Sequence, residues 1–175
     1  QGLTFDLAVG TSTGSLVGGP ALLGEADYLV AMYTRVANDQ IFNNSVVGHI
    51  LSQTGALAGP LAARLTPLYH LLKEYYLDQG KLAALIATGK TLAVASVNVR
   101  TNAVHFVTSK DVEAGKILPA TFVRAILASC SEPVFTVPVQ VYKDEVGSPY
   151  QNDLFFDGGL KEFLPVEHAV SLGAT

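Results

Sequence analysis

A chain of 175 residues, 49% of them hydrophobic and only 15% charged, can bury the core of one domain and is not a disordered sequence. Fifteen acids against 11 Lys and Arg give a net charge of −4 with no basic stripe, which argues against a nucleic-acid partner. The single cysteine, Cys130, excludes an internal disulfide framework and a cysteine-rich zinc site, and it fits a reducing compartment such as the cytoplasm.

Phe5, Leu7 and Val9 alternate with Asp6 and Ala8, so residues 4–9 read as a strand. "SLVGGPALLG" then reads as a close-packed helix interrupted near Gly18 to Pro20, and "EADYLVAMYTRVANDQIF" as an amphipathic helix. Gln40 to Ala63 is uncharged, but Asn43, Asn44, His49 and Gln53 make it a poor membrane span. Two readings of residues 40–72 stay open: an apolar cover over a bound chain, or a plain buried helical segment. From Leu65 the helical period is clear, with Leu65, Leu68, Leu71, Leu72, Tyr75 and Tyr76 on one face.

"KTLAVASVNV" is a strand covered on both faces, "RTNA" a turn, and "VHFVTS" a strand that pairs back. Pro119 suits the first turn of a helix on which Phe122, Val123, Ile126, Leu127 and Cys130 recur. Alternation of Phe135, Val137, Val139 and Val141 predicts a strand over 134–143. "KDEVGSPYQND" is a polar loop, "LFF" a strand ending at "DGG", and Pro165 opens a last short helix with Val166, Ala169 and Val170 on its apolar face. The alternation of strands and helices predicts an α/β layered sandwich, with a mainly parallel central sheet and helices on both faces. We expect one domain over 1–175, truncated at both ends: the chain opens almost on a strand and closes on a helix, a glycine stop and the approach to another strand. No signal peptide is visible.

Two stretches carry chemistry. "GTSTG" places Ser12 between Gly10 and Gly14 where a strand runs into a helix. That spacing fits a tight turn that exposes a nucleophilic hydroxyl, with the glycines removing side chains that would collide with the strand and the helix. The helix amides, Thr13 first, would face an oxyanion. A glycine-rich turn with a buried serine is the plainer alternative. A phosphate loop would need Lys after its last glycine, where Ser15 stands. A serine needs a base. His70 falls off its apolar face, His105 alternates within a strand, His49 lies in the unassigned stretch, and His168 is the strongest histidine candidate. Asp157 in "LFFDGG" is the better base, because it follows three apolar strand residues and so sits at a strand end, where α/β sites collect. Gly158 and Gly159 would let the backbone turn and leave room beside the carboxylate. The alternative there is an ordinary Asp-Gly turn. At a reference pKa of roughly 3.9 an aspartate is a weak base for serine, so burial must raise it or the contact must matter chiefly in the transition state.

"GTSTGS", then "ASCSEPVFTVPV", then "FFDGGL", in that order, resembles the patatin-like phospholipases, and the resemblance spans nearly the whole chain. It implies a Ser12–Asp157 dyad without histidine, acting on acyl esters of lipids, with no metal or organic cofactor. The implied partner is a lipid or ester substrate presented at a membrane surface. The family's glycine-rich oxyanion loop of Gly-Gly-Gly-x-Arg-Gly type has no counterpart in these residues: either it precedes Gln1, or the chain cannot stabilise the intermediate, since even one lost oxyanion donor costs ~2.7–4 kcal/mol. Glu132 stands where a small or apolar residue is expected, so it should be exposed or paired. Two other readings remain: a Ser-His-Asp esterase using His168, and a catalytically silent module that binds an anion or lipid phosphate at the "GTSTGS" amides.

Overall fold

The computed structural model describes residues 4–35, 65–133 and 135–175. Strand β2 (Thr91–Asn98) is the centre of the fold. Every residue of it from Leu92 to Asn98 is buried, as its unbroken apolar run requires of a strand covered on both faces. Strand β1 (Leu7–Gly10) pairs with its first half in parallel, Leu7 opposite Thr91 and Gly10 opposite Val94. Strand β3 (Ala103–Thr108) returns antiparallel along the other flank, from Asn98 opposite Ala103 to Ala93 opposite Thr108. The turn between them uses Asn102 at φ 52°, a conformation that asparagine tolerates better than most residues.

Strand β4 (Phe155–Asp157) pairs antiparallel with the second half of β2, Ser96 opposite Asp157 and Asn98 opposite Phe155. Since β3 occupies one flank of β2, β1 and β4 share the other. They run toward each other along it, and their C-terminal ends meet beside Ala95. The described sheet is therefore mixed, with one parallel and two antiparallel pairs, within the expected α/β architecture.

Helices cover both faces. Helix α1 (Thr13–Leu22) packs on the Ala8 and Leu92 side, where a Cβ on Gly18 would lie 2.7 Å from Leu92 Cδ1. The helix runs through Pro20 without the expected interruption. Pro20 falls in the last turns, where its missing N–H forgoes a single bond, and its own carbonyl still accepts from Glu25 N–H at 2.9 Å. Gly18 and Gly19 serve close packing there, Gly19 against the Tyr76 ring. Helix α2 (Ala26–Arg35) follows. The remainder of its predicted span, the 40–64 part of the proposed cover, and His49 lie outside the described residues.

Helix α3 (Thr66–Lys73) continues into a π-type turn, Glu74–Asp78, and α4 (Lys81–Ala87) follows, a helix the sequence reading did not assign. Leu65, Leu68, Leu72, Tyr75 and Tyr76 are buried as expected, but Leu71 is exposed. Thr108 ends β3 and caps α5 (Ser109–Glu113) reciprocally: its Oγ1 accepts the Asp111 N–H and the Asp111 carboxylate accepts the Thr108 N–H.

Helix α6 (Pro119–Ser129) is buried on all sides from Thr121 to Ser129. Its Phe122 and Ile126 are fully inaccessible, and each such side chain contributes about 1.5–3 kcal/mol of burial. Arg124, buried in the same helix, is satisfied by the Val141 carbonyl at 2.8 Å and by Asp144 at 2.8 Å. No helix among the described residues is long and apolar enough to cross a membrane.

The predicted strand over 134–143 does not form. Among the described residues Thr136 turns back on Glu132 through both its N–H and its hydroxyl, Pro138 donates nothing, and the pairing is limited to isolated bridges such as Val139 with Phe155. Phe135 is consequently 64% exposed while Val141 is fully buried, so the alternation did not mark one face. Helix α7 (Val166–Ser171) packs against β1 on the face opposite α1. It exposes Val166 and Val170, while the His168 ring stacks on Phe106 at 3.5 Å, which reverses the predicted face.

Candidate functional site

The head-on meeting of β1 and β4 builds the site. After Gly10 the chain has two residues, Thr11 and Ser12, in which to leave the sheet and enter α1. Ser12 absorbs the reversal at φ 53°, ψ −124°, a region an L-residue occupies at a cost of about 1–3 kcal/mol. Tertiary bonds hold it there. Its N–H donates to Ser129 Oγ at 2.9 Å, and its carbonyl accepts from Ser15 N–H at 2.9 Å and Ser15 Oγ at 2.6 Å. The Cys130 thiol approaches the same carbonyl at 3.5 Å. A serine before a helix ordinarily turns its hydroxyl to the second or third amide. Ser12 makes no such cap, so its hydroxyl is left to the cleft. Thr13 opens α1 beside it, and its N–H donates to no acceptor among the described residues.

Gly10 is required. A Cβ there would sit 2.5 Å from Gly14 O and Ser15 N, because the first turn of α1 folds back over it. Gly14, expected to be needed for the same reason, has open space where its Cβ would be. It lines the cleft without being forced by packing.

Asp157 ends β4, is only 7% exposed, and donates its N–H to the Ser131 carbonyl at 2.8 Å. Its carboxylate accepts the Gly159 N–H at 2.7 Å. Gly158 presses on β2, where a Cβ would come within 2.7 Å of Ala95 O, and a Cβ on Gly159 would stand 3.1 Å from the carboxylate. Both glycines therefore leave room as expected, and neither needs a positive φ to do so. Burial pushes the Asp157 carboxyl above the usual carboxylate range. The Gly159 N–H and the Ser12 hydroxyl pull it the other way, and Glu132 adds a repulsion that raises it. Only the Gly159 bond is short and well aligned. The Ser12 hydroxyl stands in a looser approach, as catalytic pairs commonly do before substrate binds.

Ser12, Thr13 and Asp157 line one cleft of about 580 Å³. Its far wall is apolar, formed by Leu160, Phe163, Leu164 and Pro165, and Phe163 is 78% exposed along it. Glu132 lies on the rim and is exposed, as the cost of burying an unpaired charge demands. Thr11 Oγ1 bonds the Glu162 carbonyl at 2.9 Å, joining the Ser12 turn to the segment after Asp157.

Among the described residues, no histidine is brought to Ser12. His168 stacks on Phe106 and is no part of the cleft lining, and its burial lowers its pKa, which keeps the ring neutral. His105 Nε2 bonds the Tyr142 hydroxyl at 2.6 Å among aromatic rings, and His70 is exposed on α3. The sequence reading missed Ser129 and the Ser131 carbonyl, which brace the two loops from the end of α6. The only signal was that "ASCSEP" is small and polar directly after a buried helix. Cys130 is inert, its thiol pushed up to about 12 by burial.

The family model for patatin-like phospholipases matches residues 1–170. No curated protein matches the chain.

Proposed function

The chain belongs to the patatin-like phospholipase family, whose members are lipid acyl hydrolases, and from that premise we propose that it cleaves lipid esters with Ser12 as nucleophile and Asp157 as its only proton acceptor. One observation carries this reading. Two strands that converge on the same flank of β2 deliver an uncapped hydroxyl and a buried carboxylate of raised pKa to a single cleft, with no imidazole among the described residues that line it.

The chemistry follows the geometry. An ester carbonyl seated over the start of α1 meets Ser12 Oγ, and its chain lies along Leu160, Phe163 and Leu164. As Oγ attacks the carbonyl carbon, Asp157 takes the hydroxyl proton. The raised pKa makes the carboxylate a stronger base than a solvated aspartate. The negative charge that builds on the carbonyl oxygen faces the Thr13 N–H and the positive end of the helix dipole. Collapse expels the alcohol, which receives the proton from Asp157, and leaves Ser12 acylated. Water, deprotonated by Asp157, attacks the acyl carbon, and the same steps release the fatty acid and restore the serine.

Turnover of a 4-nitrophenyl ester by the full-length protein tests this reading, together with labelling by a fluorophosphonate. Ser12→Ala should abolish both, and Asp157→Asn should reduce turnover at least ~10²-fold, as loss of a general base does. His168→Ala should leave kcat near normal. Labelling that persists in Ser12→Ala, or loss of turnover in His168→Ala with the fold intact, would overturn it.

A further inference from the structure

We propose that Ser129 is a positioning residue for the nucleophile: its buried hydroxyl, by accepting the Ser12 N–H, fixes the direction in which Ser12 Oγ addresses the cleft. The inference rests on Ser12 being the nucleophile. Ser129 ends α6, is fully inaccessible, and lies 117 residues from Ser12 in sequence. At φ 53° the Ser12 peptide cannot point its N–H at an acceptor of its own turn, and in the closed interior that donor must find a partner. The partner has to be short, polar and uncharged, since a carboxylate at this point would add a second repulsion beside Asp157. Serine meets all three demands.

The anchor is also rigid. Helix α6 is buried on every side from Thr121 onward, so the Ser129 hydroxyl is fixed by the core rather than by the loop it serves. The two residues after it extend the brace, with the Cys130 thiol at the Ser12 carbonyl and the Ser131 carbonyl accepting the Asp157 N–H at 2.8 Å. Three consecutive residues thus hold the hydroxyl loop and the carboxylate loop from one side, and set the spacing between them. Without the Ser129 acceptor the peptide preceding Ser12 loses its anchor, and rotation about Ser12 φ swings Oγ, while the Thr13 amide stays held through the bonds to the Ser12 carbonyl.

Ser109 supplies a matched comparison. It is a buried serine whose Oγ accepts the Leu92 N–H at 3.1 Å, and it is no part of the cleft lining. Ser129→Ala and Ser109→Ala, in the full-length protein, are compared by thermal melting and by kcat and KM on 4-nitrophenyl butyrate. Both should lower the melting temperature by similar amounts. Only Ser129→Ala should lose kcat, by about tenfold or more given that an ångström-scale misplacement costs on the order of 10²-fold, with KM within about twofold and fluorophosphonate labelling slowed in step. A folded Ser129→Ala with kcat within about twofold of the parent overturns the proposal, as does an equal loss of kcat in Ser109→Ala. Should Ser129→Ala not fold, Ser129→Val, which fills the space but offers no acceptor, is judged by the same kcat and KM criteria. Ser12→Ala, run alongside, separates the two ideas: turnover surviving there removes the nucleophile itself, whereas its loss beside a fully active Ser129→Ala removes only the brace.

Discussion

Gly10→Ala and Gly14→Ala should behave oppositely, although the two glycines frame the same serine. At Gly10 a methyl carbon would stand 2.5 Å from Gly14 O and from Ser15 N, about an ångström inside ordinary van der Waals contact. The atoms it meets are helix backbone, which cannot rotate away as a side chain would. Either β1 retreats from β2 or α1 lifts at its start. Overpacking of this kind costs about 1–3 kcal/mol, or a melting temperature lower by roughly 2–12 °C for a chain of this size. Lifting α1 moves Ser12 and the Thr13 amide with it, so kcat should fall on the order of 10²-fold. At Gly14 the same methyl meets nothing within 4 Å, and the residue is not at positive φ. Removing a glycine from a helix should there leave stability unchanged or raise it by about 0.5–1 kcal/mol. Thermal melts of both variants, with 4-nitrophenyl butyrate turnover for Gly10→Ala, decide the matter. Equal melting temperatures for the two, or a Gly10→Ala enzyme of full kcat, would show that the strand-to-helix turn is not closed as tightly as the structure has it.

Two further outcomes follow from titrating groups. Because Asp157 must be ionised to act as base and its pKa is raised by burial, the acidic limb of kcat/KM should lie above the usual carboxylate range. Removing the Glu132 repulsion in Glu132→Gln should move that limb to lower pH, and a limb that stays put or moves up counts against the assignment. The same shift has a sign for stability. With its folded pKa above its unfolded value, Asp157 favours the fold below about pH 4, and that contribution is lost as pH rises through the folded pKa. Asp157→Asn should therefore melt higher than the parent at pH 7 but not at pH 3, and equal melts at pH 7 would contradict this. Asp153 has the opposite sign. The Arg100 guanidinium and the Asn98 amide hold it at about 2, so its contribution is present above its unfolded pKa and is lost as pH falls toward 2. Asp153→Asn should flatten the acid end of the stability profile below pH 4, measured by urea melts, and an unaltered profile would refute the pairing.

What the sequence revealed and what it hid divide along a physical line. β2 was legible because a run of small and branched apolar residues has no other stable use, and α6 because its apolar period is long and opened by Pro119. The placement of Ser12 after β1 and of Asp157 at the end of β4 was legible because glycine spacing and strand ends are local features. The strand expected over 134–143 failed because alternation is only a correlate of a strand, and Pro138 and the Thr136 turn removed hydrogen bonds that would make one. His168 was misread because a six-residue helix has too few apolar positions to define its face, and contact with Phe106 decided it. Gly14 was read as obligatory from its place in a pattern, yet packing asks nothing of it. Ser129 could not be read at all: nothing near it in the chain says that a residue 117 positions earlier needs an acceptor.

The three-residue pairing of β4 with β2 sets the moment at which the proposed dyad can form. During synthesis the serine leaves the ribosome about 145 residues ahead of its carboxylate. Until that short strand docks, the carboxylate proposed to deprotonate Ser12 is not yet beside it. On the proposed dyad, the order of translation itself would thus hold back ester cleavage until β4 has reached its place beside β2.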